Sequence, residues 1–215
     1  MSPSTQRQSW LWVWFVVIFI LGIWFWKVYS DSKALRPPVT PVTETPTTTT
    51  TLTISPQDPN IGNPQASLVL VELADFECPY CAEAAPILEQ FAQDNPNSVR
   101  LVWKDFIIPN HSNSLPAAIA AQCAARQGKF WEYQHQLFSN QATLGADFYL
   151  TLADSLGLNT NTFNNCVSNQ DPLPLIQFNQ QQISALGLNE TPTLFVDGQI
   201  YTGDITAEAL NSLLP

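Results

Sequence analysis

Hydrophobic and polar positions divide the 215-residue chain into three regimes. Residues 10–26 are an apolar run with no charged residue, and residues 31–54 are dominated by Thr and Pro. Beyond residue 55, apolar positions recur with strand and helix periods. The stretch 67–74 (SLVLVELA) is short, nearly continuously apolar and bounded by turn residues, the pattern of a buried central strand. Ile87, Leu88 and Phe91 form an apolar face that predicts a helix opening near Cys78 and ending at Asp94-Asn95-Pro96. Residues 98–108 alternate as the next strand, completing a strand-helix-strand unit. From 116 to about 186 the spacing is helical, in segments 116–126, 130–138, 148–156, 160–167 and 173–186. Residues 193–196 and 199–201 flank Asp197-Gly198, a hairpin signal, and 206–214 can close the chain as a helix.

This pattern predicts an α/β domain over 55–215 with an all-helical insert at about 112–187. A tail (1–9), a single transmembrane helix (10–30) and an extended stalk (31–54) are expected before it. Trp10, Trp12 and Trp14 at one end and Trp24, Trp26 and Tyr29 at the other match the aromatic belts of membrane interfaces. A cleaved signal peptide is the alternative; the length of the run and the lack of a small-x-small site after Lys27 argue against it. Lys27, Lys33 and Arg36 against Arg7 would by themselves orient the domain inward. The stalk composition and the cysteines favour the extracytoplasmic side of a cell membrane instead.

A net charge of −10 with only 8 Lys and Arg excludes a nucleic-acid surface, which needs clustered cations. Proteins or small thiols are the expected partners. Cys78-Pro79-Tyr80-Cys81 is the sharpest chemical signal. Two cysteines three apart at a helix start can form a disulfide, and the free N–H groups and dipole of that helix end stabilise a Cys78 thiolate. Half of a zinc site is the metal alternative, but His111, His135, Cys123 and Cys166 are scattered singly. No metal and no cofactor are therefore expected. A purely structural Cys78–Cys81 bridge is a further alternative. Cys123 and Cys166 fall in separate helices of the insert, where they would either bridge or act as buried thiols.

Asp75-Phe76-Glu77-Cys78-Pro79-Tyr80-Cys81, Gly128-Lys129-Phe130-Trp131-Glu132-Tyr133 with Leu137-Phe138, and Glu190-Thr191-Pro192-Thr193 together resemble the DsbA family of thioredoxin-fold proteins, including its membrane-anchored bacterial members. The resemblance covers roughly 57–215. It implies a thioredoxin fold carrying the helical insert, with Cys78 as the exposed nucleophile and Cys81 as the covered resolving sulfur. It also implies a cis Thr191-Pro192 bond facing the pair, and substrate contact from Pro79, Tyr80, Thr191 and Pro192. Glu72 falls where the family has a buried acid that exchanges a proton with Cys81, and Lys104 or Arg100 could be its partner. Pro86 would kink the redox helix as a structural feature. Tyr80 replaces a histidine of some related motifs, removing a cation that would help hold the thiolate.

The implied activity is a protein thiol:disulfide oxidoreductase that introduces disulfides into reduced exported proteins. The implied partner is a quinone-linked membrane protein that reoxidises a monomeric enzyme. A reductase or isomerase of the same fold is one rival, and a non-catalytic peptide-binding module is another.

Overall fold

The computed structural model describes residues 52–214, together with Phe19, Leu21, Ile23, Trp26 and Lys27. The chain divides into two compact units, Met1–Thr48 and Thr49–Pro215. In the first, the five described residues are helical, and the four apolar ones among them are exposed. The transmembrane helix expected over 10–30 is overturned: no helix among the described residues is long and apolar enough to cross a membrane. The described part of that stretch is five scattered helical positions, which do not amount to the roughly 20 consecutive apolar residues a spanning helix needs. The other residues of 10–30, and the expected stalk as far as residue 51, lie outside the described residues.

The second unit has the expected α/β thioredoxin-type fold. Its elements run β1 (Asn60–Gly62), β2 (Leu68–Ala74), α1 (Pro79–Asp94), β3 (Val99–Asp105), a helical block of α2 (Ser114–Ala125), α3 (Phe130–Ser139), α4 (Ala146–Ser155), α5 (Thr160–Ser168) and α6 (Leu173–Ala185), then β4 (Thr193–Val196), β5 (Gln199–Ile200) and α7 (Ala207–Asn211). The sheet order is β1-β3-β2-β4-β5. Strands β2 and β3 are parallel, with Glu72 aligned to Trp103 and Leu73 to Lys104; the remaining pairings are antiparallel. Strand β2 is central, which explains its run of apolar residues on both faces.

Side chains alternate across a strand, so β2 and β3 each serve two layers. Leu68 and Leu70 pack with Leu88 and Phe91 of α1 and Leu210 of α7, whereas Val71 and Leu73 pack with Val102, Phe106 and Ile183 of α6. Glu72 has the parity of Leu70 and therefore faces α1. Lys104 has the parity of Val102 and faces α6.

Strand β1 has no counterpart among the sequence expectations, whose first strand begins at residue 67. Its three residues pair with the edge of β3, and Gly62 (φ 88°) lies so close that a Cβ would run into the Val99 carbonyl oxygen. In the insert, Cys123 of α2 and Cys166 of α5 are joined by a disulfide with Cα atoms 5.9 Å apart. Tyr133 Oη donates to the Tyr149 carbonyl at 2.8 Å within the same block. Phe76 stacks on Trp103 at 4.8 Å between centroids and meets Phe138 at 5.3 Å, which locks the loop before α1 onto both sheet and insert.

Candidate active site at Cys78 and Cys81

Strand β2 ends at Ala74, and the next residues are held as a turn by Asp75, whose side chain is buried. Asp75 Oδ1 accepts from the Glu77 N–H at 2.7 Å, and its carbonyl accepts from the Cys78 N–H at 3.1 Å. Oδ2 accepts from the Ile108 N–H and the Ser114 hydroxyl, and His111 Nδ1 approaches it at 3.2 Å. Glu77 Oε2 accepts from the Asn113 N–H at 2.6 Å. Gln141, in the short 3-10 turn Gln141–Thr143, reaches back from the insert. Its Nε2 donates to the Cys78 carbonyl at 2.8 Å and to the Phe76 carbonyl at 2.9 Å.

These bonds deliver Cys78 to the N-cap of α1 in an extended conformation (φ −79°, ψ 120°), with Pro79 in the first turn. A proline fits there because the first helical N–H groups have no carbonyl partner within the helix. The Cys81 N–H instead points at Cys78 Sγ, 3.4 Å away. Across the site, the Thr191-Pro192 bond is cis, and the Thr191 carbonyl oxygen lies 3.5 Å from Cys78 Sγ. Both cysteines are free thiols. Cys78, expected to be exposed, is only 4% exposed, while Cys81 is wholly covered. The Thr191 carbonyl lies against the Cys78 sulfur, whereas Tyr80 beside it is 68% exposed.

The two sulfurs are driven apart in acidity. Cys78 is lowered to about 5, chiefly by the hydrogen bond from the Cys81 thiol; burial opposes this, and Thr191 and the N–H groups of Cys81 and Tyr80 add to it. Cys81 is pushed far above the normal thiol range by burial and by the hydrogen bond it gives. Beneath them Glu72 is 0% exposed, and neither of its carboxyl oxygens has a hydrogen-bond partner. Burial raises it to about 8, with smaller contributions from the charges of Glu89 and Cys78.

Neither basic residue considered as a partner for Glu72 reaches it. Lys104 Nζ pairs with Asp58 at 2.7 Å and also donates to Asn179 of α6 at 2.9 Å, all buried on the opposite side of the sheet. Arg100 aligns with Val69, which shares the parity of Leu73. Sequence reasoning missed Gln141, which no pattern marks. It also missed Glu89, although Cys81, Ala85 and Glu89 fall four apart along α1 and so share a face. Among the described residues no cluster suited to a metal ion occurs.

A dithiol with one stabilised thiolate at a helix start, facing a cis-proline loop on a thioredoxin-type sheet, defines the class: a thioredoxin-fold protein equipped for thiol chemistry. A thioredoxin family model matches residues 54–215, and the chain belongs to that family. Among solved structures, it is similar to a thioredoxin-like oxidoreductase from Silicibacter pomeroyi DSS-3, with 27% identity and a TM-score of 0.62, covering 74% of this chain and 90% of that one. The catalytic domain of Proteus mirabilis ScsC matches at 25% identity and a TM-score of 0.63, covering 73% and 86%. BdbD from Bacillus subtilis, at 18% identity and a TM-score of 0.64 over 73% and 90%, shares the fold. Among curated proteins, the Na(+)/H(+) antiporter NhaA 1 of Mycolicibacterium gilvum is 31% identical over 97% of this chain. The chain spans only 34% of that antiporter's length.

Proposed function

We propose that this protein is a thiol:disulfide oxidoreductase working as a dithiol oxidase on reduced exported proteins. The observation that carries the reading is Cys78 Sγ at the N-cap of α1, hydrogen-bonded from Cys81 and lowered to about 5. A stabilised thiolate favours the reduced pair, so the oxidised pair readily accepts electrons.

A substrate thiolate attacks Cys78 Sγ of the Cys78–Cys81 disulfide, forming a mixed disulfide and expelling Cys81 as a thiolate. Glu72, protonated until about pH 8, gives that thiolate a proton. A second substrate thiolate then attacks the substrate sulfur of the mixed disulfide. The substrate leaves oxidised, and the enzyme leaves reduced with a Cys78 thiolate. The backbone of Thr191, beside cis Pro192, is offered to an extended substrate segment. Reoxidation falls to a quinone-linked membrane partner. The Cys123–Cys166 bridge in the insert supports an oxidising compartment outside the cytoplasm. Ion antiport belongs to the much longer NhaA relatives and is not part of this reading.

The test is the reduction potential of the Cys78–Cys81 pair in the full chain, equilibrated against glutathione, with Cys123→Ala/Cys166→Ala as a control. A potential well above the roughly −270 mV of thioredoxin supports the oxidase direction; one near or below it overturns that direction in favour of a reductase.

A further inference from the structure

Glu72 is sealed: it is fully buried and has no hydrogen-bond partner. An acid that serves Cys81 once per turnover must still exchange its proton with water. The helix above it offers a second carboxyl. Glu89 lies two turns beyond Cys81 on the same face of α1, about 12 Å further along the axis at ~1.5 Å per residue. It is half-buried and pairs with no cation among the described residues.

Glu89 also lines a crevice of about 110 Å³, together with Ala82, Pro86, His135, Phe138 and Ser139. That is room for several waters at roughly 10 to 15 Å³ each. The wall is polar where water needs it to be. Pro86 has no N–H to give the Ala82 carbonyl four residues earlier, and Glu89, His135 and Ser139, among the residues lining the crevice, carry further polar groups. His135 and Ser139 are themselves exposed, so the crevice opens to solvent.

We propose that Glu89 is a positioning residue that relays protons between buried Glu72 and solvent through the crevice at Pro86 and His135. The proposal rests on the reading that Glu72 serves Cys81. Burial raises Glu89 to about 7, close to the about 8 of Glu72, so a proton can pass between them without a large uphill step. The ionisable groups facing this route are Glu72 from β2, Cys78, Cys81 and Glu89 from the helix start and α1, and His135 from α3.

In the reverse half-reaction Glu72 takes the Cys81 proton, and Cys81 Sγ attacks the Cys78 sulfur of a mixed disulfide. The Cys78–Cys81 bond forms, and the partner leaves as a thiolate. Glu72 then passes the proton to Glu89 and out. This step can be isolated by mixing the reduced full chain with oxidised glutathione, acid-quenching, and separating formation of the Cys78–glutathione species from its resolution by mass spectrometry. Glu89→Gln should slow resolution about tenfold or more near pH 7 while formation stays unchanged. Added imidazole, which can enter the crevice and carry protons, should restore the rate.

Wild-type resolution in Glu89→Gln beside slow resolution in Glu72→Gln overturns the relay and leaves the role of Glu72 standing. Normal resolution in Glu72→Gln overturns that role and the relay with it. A slow Glu89→Gln that imidazole fails to restore marks a structural effect and overturns the relay. If Glu89→Gln folds poorly, deuterium oxide on the wild type decides: it should slow resolution more than formation, and equal slowing overturns the proposal.

Discussion

Gln141 Nε2 lies 2.8 Å from the Cys78 carbonyl oxygen, so a side chain of the helical insert holds the cysteine at the N-cap of α1. The same amide satisfies the Phe76 carbonyl. Gln141→Leu frees both carbonyls and lets the extended N-cap conformation of Cys78 relax. The expected result is a stability loss of about 1 to 3 kcal/mol. The thiolate pKa should also rise from about 5, read as the thiolate absorbance near 240 nm through a pH titration. An unchanged titration with lowered stability would reduce Gln141 to a structural tie.

Glu72 and Cys78 make opposite contributions to the pH dependence of stability. Glu72 is raised from 4.5 to about 8, so the folded protein holds an extra proton in that window and stability falls as pH rises through it. Cys78 is lowered from 9.0 to about 5, so its stabilisation is present at alkaline pH and is lost as pH falls toward 5. Urea unfolding of the oxidised protein, in which Cys78 does not titrate, should show the falling slope; Glu72 contributes at most roughly 1.4 kcal/mol per pH unit, and Glu89 and Asp105, raised by burial to about 7 and about 6, add slopes of the same sign at lower pH. Glu72→Gln should make it shallower, most of all between pH 7 and 8. In the reduced protein the Cys78 slope opposes that of Glu72 over pH 5 to 8, and the curve should be flatter than in the oxidised protein.

Lys104 lies across the sheet from the redox pair. Lys104→Met leaves Asp58 buried without its ion partner, which should cost about 3 to 5 kcal/mol. The Cys78 titration should not move. A shifted titration would mean that Lys104 acts through Glu72 after all, contrary to strand parity.

The Cys123–Cys166 bridge closes a separation of 43 residues, for which loop entropy alone gives about 4 kcal/mol. Cys123→Ala/Cys166→Ala should lose stability up to that size in denaturant while keeping the same Cys78–Cys81 potential. A changed potential would show that the bridge tunes the site rather than the insert.

Strand β2, helix α1 and the five helices of the insert were legible because each carries a local signal: continuous apolar residues, Cys78 and Pro79 at a helix start, or apolar residues at helical spacing. Strand β1 carried none. It is three residues long, and its pairing depends on Gly62 meeting Val99, 37 positions away. The apolar run 10–26 carried a strong signal and still misled: no helix among the described residues is long and apolar enough to cross a membrane.

The site divides in the same way. Cys78 and Cys81 were readable from their spacing at a helix start, a local property, whereas Glu72 and Pro192 were placed only by the motifs the chain shares with the family it resembles. Parity held the answer on Lys104, but only once the parallel register had aligned it with Leu73. Gln141, Asp58 and Glu89 owe their roles to partners 46 to 65 positions away, or to a crevice between two helices. The sequence by itself determined which residues could do thiol chemistry and which elements would carry them. Only the tertiary structure decided which polar groups are paired and which are left alone in the core, because hydrogen bonds and burial are made between segments that no local period connects.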